Sequence, residues 1–199
     1  MPPKLVQWLS KANAEAKPRT VQRLLMAGGA VVFLVLIPAG LCAAGRAVAP
    51  WIPWTLPPAL QIGVGVPAAL GGLGLALWSV VTFWRQGKGT PVPVAAPRRL
   101  VVTGPFRHCR NLMYLGAMMY YLGLASALGS LVFGLGVLAL GLAVGALYAR
   151  LVEEKELRIR FGEDYERYRQ ETPLFIPRLR RQRAAARSGS PVNESLPPR

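Results

Sequence analysis

One long charge-free stretch, Leu112 to Ala149, constrains this chain more than any other feature. It runs for 38 residues. As a single helix it would measure about 57 Å, nearly twice the ~30 Å hydrocarbon core of a bilayer. Gly129-Ser130 near its middle supplies turn chemistry, so the stretch reads as a hairpin of two spans, about 112–128 and 131–149. Two earlier charge-free runs, Leu24–Ala44 and Ala59–Trp84, also reach the ~20 residues a transmembrane helix needs. The first reads as an uncleaved span rather than a signal peptide. Its basic flank is long, the run exceeds a signal-peptide core, and Leu41 before Cys42 departs from a lipoprotein pattern. The predicted fold class is therefore all-α: an integral membrane bundle of about four transmembrane helices (24–44, 59–84, 112–128, 131–149).

Charge gives that bundle an orientation. The net charge of +15 would suggest nucleic acid in a soluble protein. Here the basic residues are segregated by loop. Of 24 Lys and Arg, five lie in residues 1–23, one (Arg46) follows the first span, six lie in 85–111 and twelve follow residue 149. The positive-inside rule then puts both termini and the central linker in the cytoplasm. The expectation is a multi-pass protein of a bacterial-type inner membrane, touching anionic headgroups and not nucleic acid. Residues 1–23 form a basic N-terminus, 24–177 the membrane domain and 178–199 a disordered basic tail.

Between the spans, Trp51 and Trp54 suit the interfacial belt, and Pro50, Pro53, Pro57 and Pro58 stop a helix from running through. Pro67 is a candidate kink. Gly71, Gly72 and Gly74, and the pair Gly141 and Gly145, are candidates for close helix packing. Arg150 to Gln170 reads as a charged cytoplasmic helix, with Leu157, Phe161, Tyr165 and Tyr168 forming one packing stripe. Thr172 to Pro177 reads as an extended segment. Cys42 and Cys109 fall in different environments, which argues against a disulfide. Cys109 sits beside Arg107 and Arg110, which would lower a thiol pKa, but reads as structural. His108 is the only histidine, so no protein-built metal site is expected. Gly87 and Gly89 have no strand–turn–helix context and make no dinucleotide fingerprint.

The hairpin has a functional consequence. It returns the end of span four to the start of span three, bringing Arg107, Arg110, Asn111 and Tyr114 within reach of Glu153 and Glu154. Cationic, amide and carboxylate groups at a membrane face suit a zwitterionic soluble ligand, and the spans beside them suit a lipid-like second substrate. A plainer alternative is that Glu153 and Glu154 are interfacial charges paired with Arg150 along the helix.

Two motifs carry a resemblance. G-P-F-R-H-C-R-N-L-M-Y-L-G from Gly104 is followed, about forty residues later, by E-E-K-E-L-x-x-x-F-G-E-D-Y-E-R-Y-x-x-x-T-P-x-F-I-P from Glu153. Together they resemble the isoprenylcysteine carboxyl methyltransferase family, with its bacterial relatives and the related phospholipid N-methyltransferases. That resemblance implies a membrane enzyme using S-adenosylmethionine on a lipophilic acceptor, whether an isoprenylcysteine carboxylate, another prenylated molecule or some other lipid-like substrate. It implies that Arg110, Asn111, Tyr114, Glu153 and Glu154 bind the cofactor. Arg150 is taken as a substrate contact; no catalytic residue and no metal are assigned. Leu112 stands where the family has Pro, Phe106 where it has Tyr, and Asn111 where the eukaryotic enzymes have His. The alternative is a degenerate, non-catalytic membrane scaffold of the same fold. A reductase of the sterol-reductase type lacks a nicotinamide motif here.

Overall fold

A computed structural model describes residues 4–13, 18–52, 56–87, 90, 92, 99–128 and 130–177. Trp54, Gly89, Gly129 and the 178–199 tail lie outside the described residues. Among those described there is no strand. The helices are α1 (Lys4–Ala12), α2 (Arg19–Val31), α3 (Ile37–Val48), α4 (Pro58–Thr82), α5 (Leu112–Ala127), α6 (Leu131–Tyr148) and α7 (Glu154–Glu171). Single π-helical turns join some of them end to end. The continuous rods Arg19–Trp51, Pro58–Gly87 and Leu131–Glu171 are each long and apolar enough to cross a membrane. α5 is a shorter apolar helix; its 16 residues rise only about 24 Å. The expected four spans are thus three full-length helices and one short one.

α5 sits centrally, packed by α3, α4 and α6. Its antiparallel seam with α4 is built from glycine. A Cβ on Gly65 would lie 2.7 Å from the Ala127 amide nitrogen, and one on Gly116 would lie 2.7 Å from the Gly72 carbonyl oxygen. Gly72 and Gly123 face backbone across the same seam. Small residues let the two backbones touch, which drives association where apolar burial cannot. Of the three glycines singled out in α4, only Gly72 does this; Gly71 and Gly74 face open space. On the other side of α5, Gly141 and Gly145 of α6 receive the side chains of Met118 and Tyr114. The hairpin turns where the sequence predicted. Ser130 Oγ accepts from the Phe133 amide at 3.1 Å and caps α6.

The π turn at Val32–Leu36 leaves one carbonyl without a backbone donor. In that register the Phe33 carbonyl would pair with residue 38, but Pro38 has no N–H. The Tyr121 hydroxyl of α5 donates to the Phe33 carbonyl instead, at 3.3 Å. Pro67 is accommodated inside α4. Cys42 and Cys109 are both free thiols.

Past Ala149 the chain turns polar. The expected helix over 150–170 is present but broken. Gly162 adopts φ 53°, ψ −127°, a conformation essentially restricted to glycine, so α7 bends there. The bend wraps the predicted stripe around the 99–111 linker. Val101, Phe106, Tyr165 and Tyr168 form a buried cluster, with Leu157 and Phe161 packed against it.

Candidate functional site

The linker before α5 is shaped by a short 3-10 turn over Gly104–Arg107. Gly104 has φ 60°, a left-handed conformation that favours glycine. The turn buries Phe106, whose ring stacks on Phe83 with centroids 4.4 Å apart. The Phe106 carbonyl accepts from the Tyr168 hydroxyl at 2.6 Å.

Downstream, the 172–174 segment straps the linker down. The amides of Arg110 and Asn111 donate to the Pro173 and Leu174 carbonyls at 2.9 and 3.1 Å. Cys109 Sγ donates to the Leu174 carbonyl at 3.0 Å. Leu112, the departure from proline, is buried at the first turn of α5. These backbone bonds fix the two residues that precede it. Cys109 is fully buried, and burial pushes its thiol up despite the nearby Asn111 amide and Arg110 charge. Desolvation outweighs the guanidinium, in keeping with a structural rather than an activated thiol.

Arg110 is the centre of the site. Its Nη1 donates to Glu154 Oε1 at 2.8 Å and to the Tyr165 hydroxyl at 3.0 Å. Its Nε donates to the Thr172 carbonyl at 2.9 Å. Both members of the ion pair are nearly buried, with side chains 12% and 11% exposed. Burial works against the Arg110 charge, but Glu154 and Tyr165 outweigh it and the net shift is upward. The remaining Glu154 oxygen accepts from Arg169 Nη1 at 3.3 Å. The π turn Ala149–Glu153 sits between the apolar span and this polar helix. It inserts one residue and so rotates everything beyond it by about 100°.

Arg110, Asn111, Tyr114 and Glu153 line one cavity of about 430 Å³. Thus four of the five residues assigned to a cofactor meet, although they come from two separate segments. Glu154 does not line the cavity; it is bound to Arg110 behind it. Tyr114 is anchored, its hydroxyl donating to the Gly141 carbonyl at 2.7 Å. Asn111 makes no side-chain cap on α5, and among the described residues no hydrogen bond engages the Glu153 carboxylate. These two are the groups left to meet a ligand. Glu153 lies beyond the last apolar residue of the span. Its burial, the nearby Glu156 and the adjacent Glu154 push its carboxyl up to about 7, with Arg110 pulling the other way. Arg150 is exposed and does not line the cavity. Nor is it the partner of Glu154, which pairs with Arg110 and Arg169. Arg107 is also outside the wall, bonded from Nε to His108 Nε2 at 2.9 Å.

Several participants were not legible as site residues. Glu156 and Arg160 also line the cavity, joined by a 3.0 Å ion pair. Glu156 Oε1 also accepts from Asn13 Nδ2 at 3.0 Å, from 143 residues away. Tyr165 looked like packing and is packing, yet its hydroxyl also holds Arg110. Met113, Val144, Tyr148 and Leu157 also line it. One cavity therefore offers an amide and a carboxylate within a largely apolar lining.

Comparison with known proteins gives one result. The family model described as phospholipid methyltransferase matches residues 60–164, just over half of the 199-residue chain. No curated protein and no solved structure matches.

Proposed function

The chain belongs to the phospholipid methyltransferase family, and from that premise we propose that it transfers a methyl group from S-adenosylmethionine to a lipophilic acceptor at the cytoplasmic membrane face. The observation that carries this reading is the meeting of Arg110, Asn111, Tyr114 and Glu153 around one cavity whose lining is otherwise largely apolar. A volume of about 430 Å³ falls within the ~300–1,000 Å³ usual for small-molecule sites.

The donor set fits the cofactor. An unengaged carboxylate suits a cationic or hydroxyl-bearing group, and the Asn111 amide can both donate and accept. When bound, S-adenosylmethionine supplies an electrophilic methyl. Glu153 would hold its cationic part, and Asn111 its polar edge. Arg110 keeps two N–H groups, those on Nη2, beyond the contacts described above. Glu154, Tyr165 and the 172–174 strap act as positioning groups, fixing Arg110 and the α5 start. Fixed geometry is what an in-line transfer requires, because the reacting atoms must be held about 3–3.5 Å apart. A carboxylate or thiolate acceptor is already a nucleophile; an amine must first lose a proton. The acceptor is a lipophilic small molecule or prenylated compound entering along the apolar lining. The wider orientation follows the charge bias: both termini cytoplasmic in an inner membrane, with anionic headgroups around the basic segments.

Direct binding of S-adenosylmethionine to the detergent-purified protein tests this reading. Saturable binding is expected, with Glu153→Gln and Arg110→Ala each weakening it at least about tenfold, or about 1.4 kcal/mol. No binding, or binding indifferent to both changes, would favour the non-catalytic scaffold.

A further inference from the structure

α1 has two faces with different partners. Val6 is fully buried and Asn13, just past its last residue, is 8% exposed; both turn inward. Asn13 Nδ2 donates to Glu156, a cavity-lining residue on α7, which also holds Arg160. Lys4, Trp8 and Lys11 are spaced by four and three residues and share a stripe about 140–200° around the helix from Val6. Both lysines are exposed, Trp8 is 55% exposed and the neighbouring Leu5 is 49% exposed. The helix, KLVQWLSKA, contains no acidic residue.

Its depth is also set. α1 packs on α7 and on the π turn Ala149–Glu153, the first turn beyond the apolar span. That contact holds α1 at the level where a membrane-crossing helix leaves the hydrocarbon. An exposed stripe of two lysines around a tryptophan at that level matches an anionic headgroup layer in charge. It matches it in chemistry too, since an indole prefers the boundary between hydrocarbon and water.

We propose that α1 docks through Lys4, Trp8 and Lys11 on an anionic bilayer surface, and that docking holds Asn13 on Glu156 to brace the cavity wall. The docking stands on its own; calling the braced cavity a cofactor site rests on the function proposed above. A lysine near an anionic surface contributes on the order of fivefold in binding. Lipid charge would then be read locally, through one buried hydrogen bond, by the wall of the cavity.

Hydrogen exchange of the full-length protein in nanodiscs tests this. Discs of phosphatidylcholine alone are compared with discs containing a third phosphatidylglycerol. The α1 amides should exchange at least about fivefold more slowly in the anionic discs. In the double variant Lys4→Gln, Lys11→Gln the difference should fall below about twofold. Amides over 154–161 should slow alongside α1 in the wild type and cease to follow lipid charge in Asn13→Ala. Exchange in α1 that is indifferent to lipid charge, or a difference that persists in the lysine variant, overturns the docking. Amides over 154–161 that follow lipid charge equally with and without Asn13 overturn the brace. None of these readouts requires methyl transfer, so failure here and failure of the enzymatic reading are distinguishable.

Discussion

Glu153 and Glu154 are neighbours in sequence, yet substituting each should have opposite consequences. Glu154 is buried and neutralises Arg110 across 2.8 Å. Changing it to Gln keeps the shape but removes the charge, and turns part of the group into a donor facing other donors. A hydrogen bond to a charged group contributes about 1.5–3 kcal/mol. The second contact, to a 37% exposed Arg169, adds under about 1 kcal/mol. For a chain of this size 1 kcal/mol moves the melting point by about 2–4 °C. Glu154→Gln should therefore lower Tm by about 3–16 °C, measured without ligand in detergent at pH 8. Glu153→Gln should not. A carboxyl raised to about 7 is disfavoured in its ionised form in the folded state. Its stabilising contribution is complete below the ordinary value of 4.5 and is lost as pH rises through about 7. At pH 8 Glu153→Gln should leave Tm unchanged or raise it, while weakening ligand binding. Equal loss of Tm in both variants, or a stability-neutral Glu154→Gln, would refute the division of roles.

Two further outcomes follow from the same geometry. Affinity for S-adenosylmethionine should increase between pH 6 and 8 as Glu153 ionises and attracts a cationic ligand, and calorimetric titration of Glu153→Gln should show that increase abolished. Gly72→Ala should destabilise by about 1–3 kcal/mol, because its Cβ meets backbone of α5. Gly71→Ala, facing open space, should be neutral or slightly stabilising in the same melting assay.

The spans, the break between α5 and α6 and the meeting of the two motifs were legible in the sequence because charge-free length and hairpin topology fix them. What was not legible depends on which way a side chain points. Gly71, Gly72 and Gly74 are alike on paper, and only the register with α5 selects Gly72. Consecutive helical residues project about 100° apart. A Glu-Glu pair therefore divides its labour: Glu153 lines the cavity and Glu154 holds Arg110. The π turn that sets this rotation has no sequence signature, and the strap offers Arg110 and Asn111 only backbone carbonyls. The aromatic stripe was visible from its spacing, but the bend at Gly162 that brings Tyr165 to Arg110 was not.

The most direct test of the account is transfer itself. Full-length protein in native-lipid vesicles is incubated with methyl-labelled S-adenosylmethionine, and label is counted in the organic-extractable fraction. The account predicts labelled lipophilic product with the wild type and at least about a tenfold loss with Glu153→Gln, about 1.4 kcal/mol or more in transition-state stabilisation. Cofactor binding with no label in any lipid fraction, or label undiminished by Glu153→Gln, would contradict it.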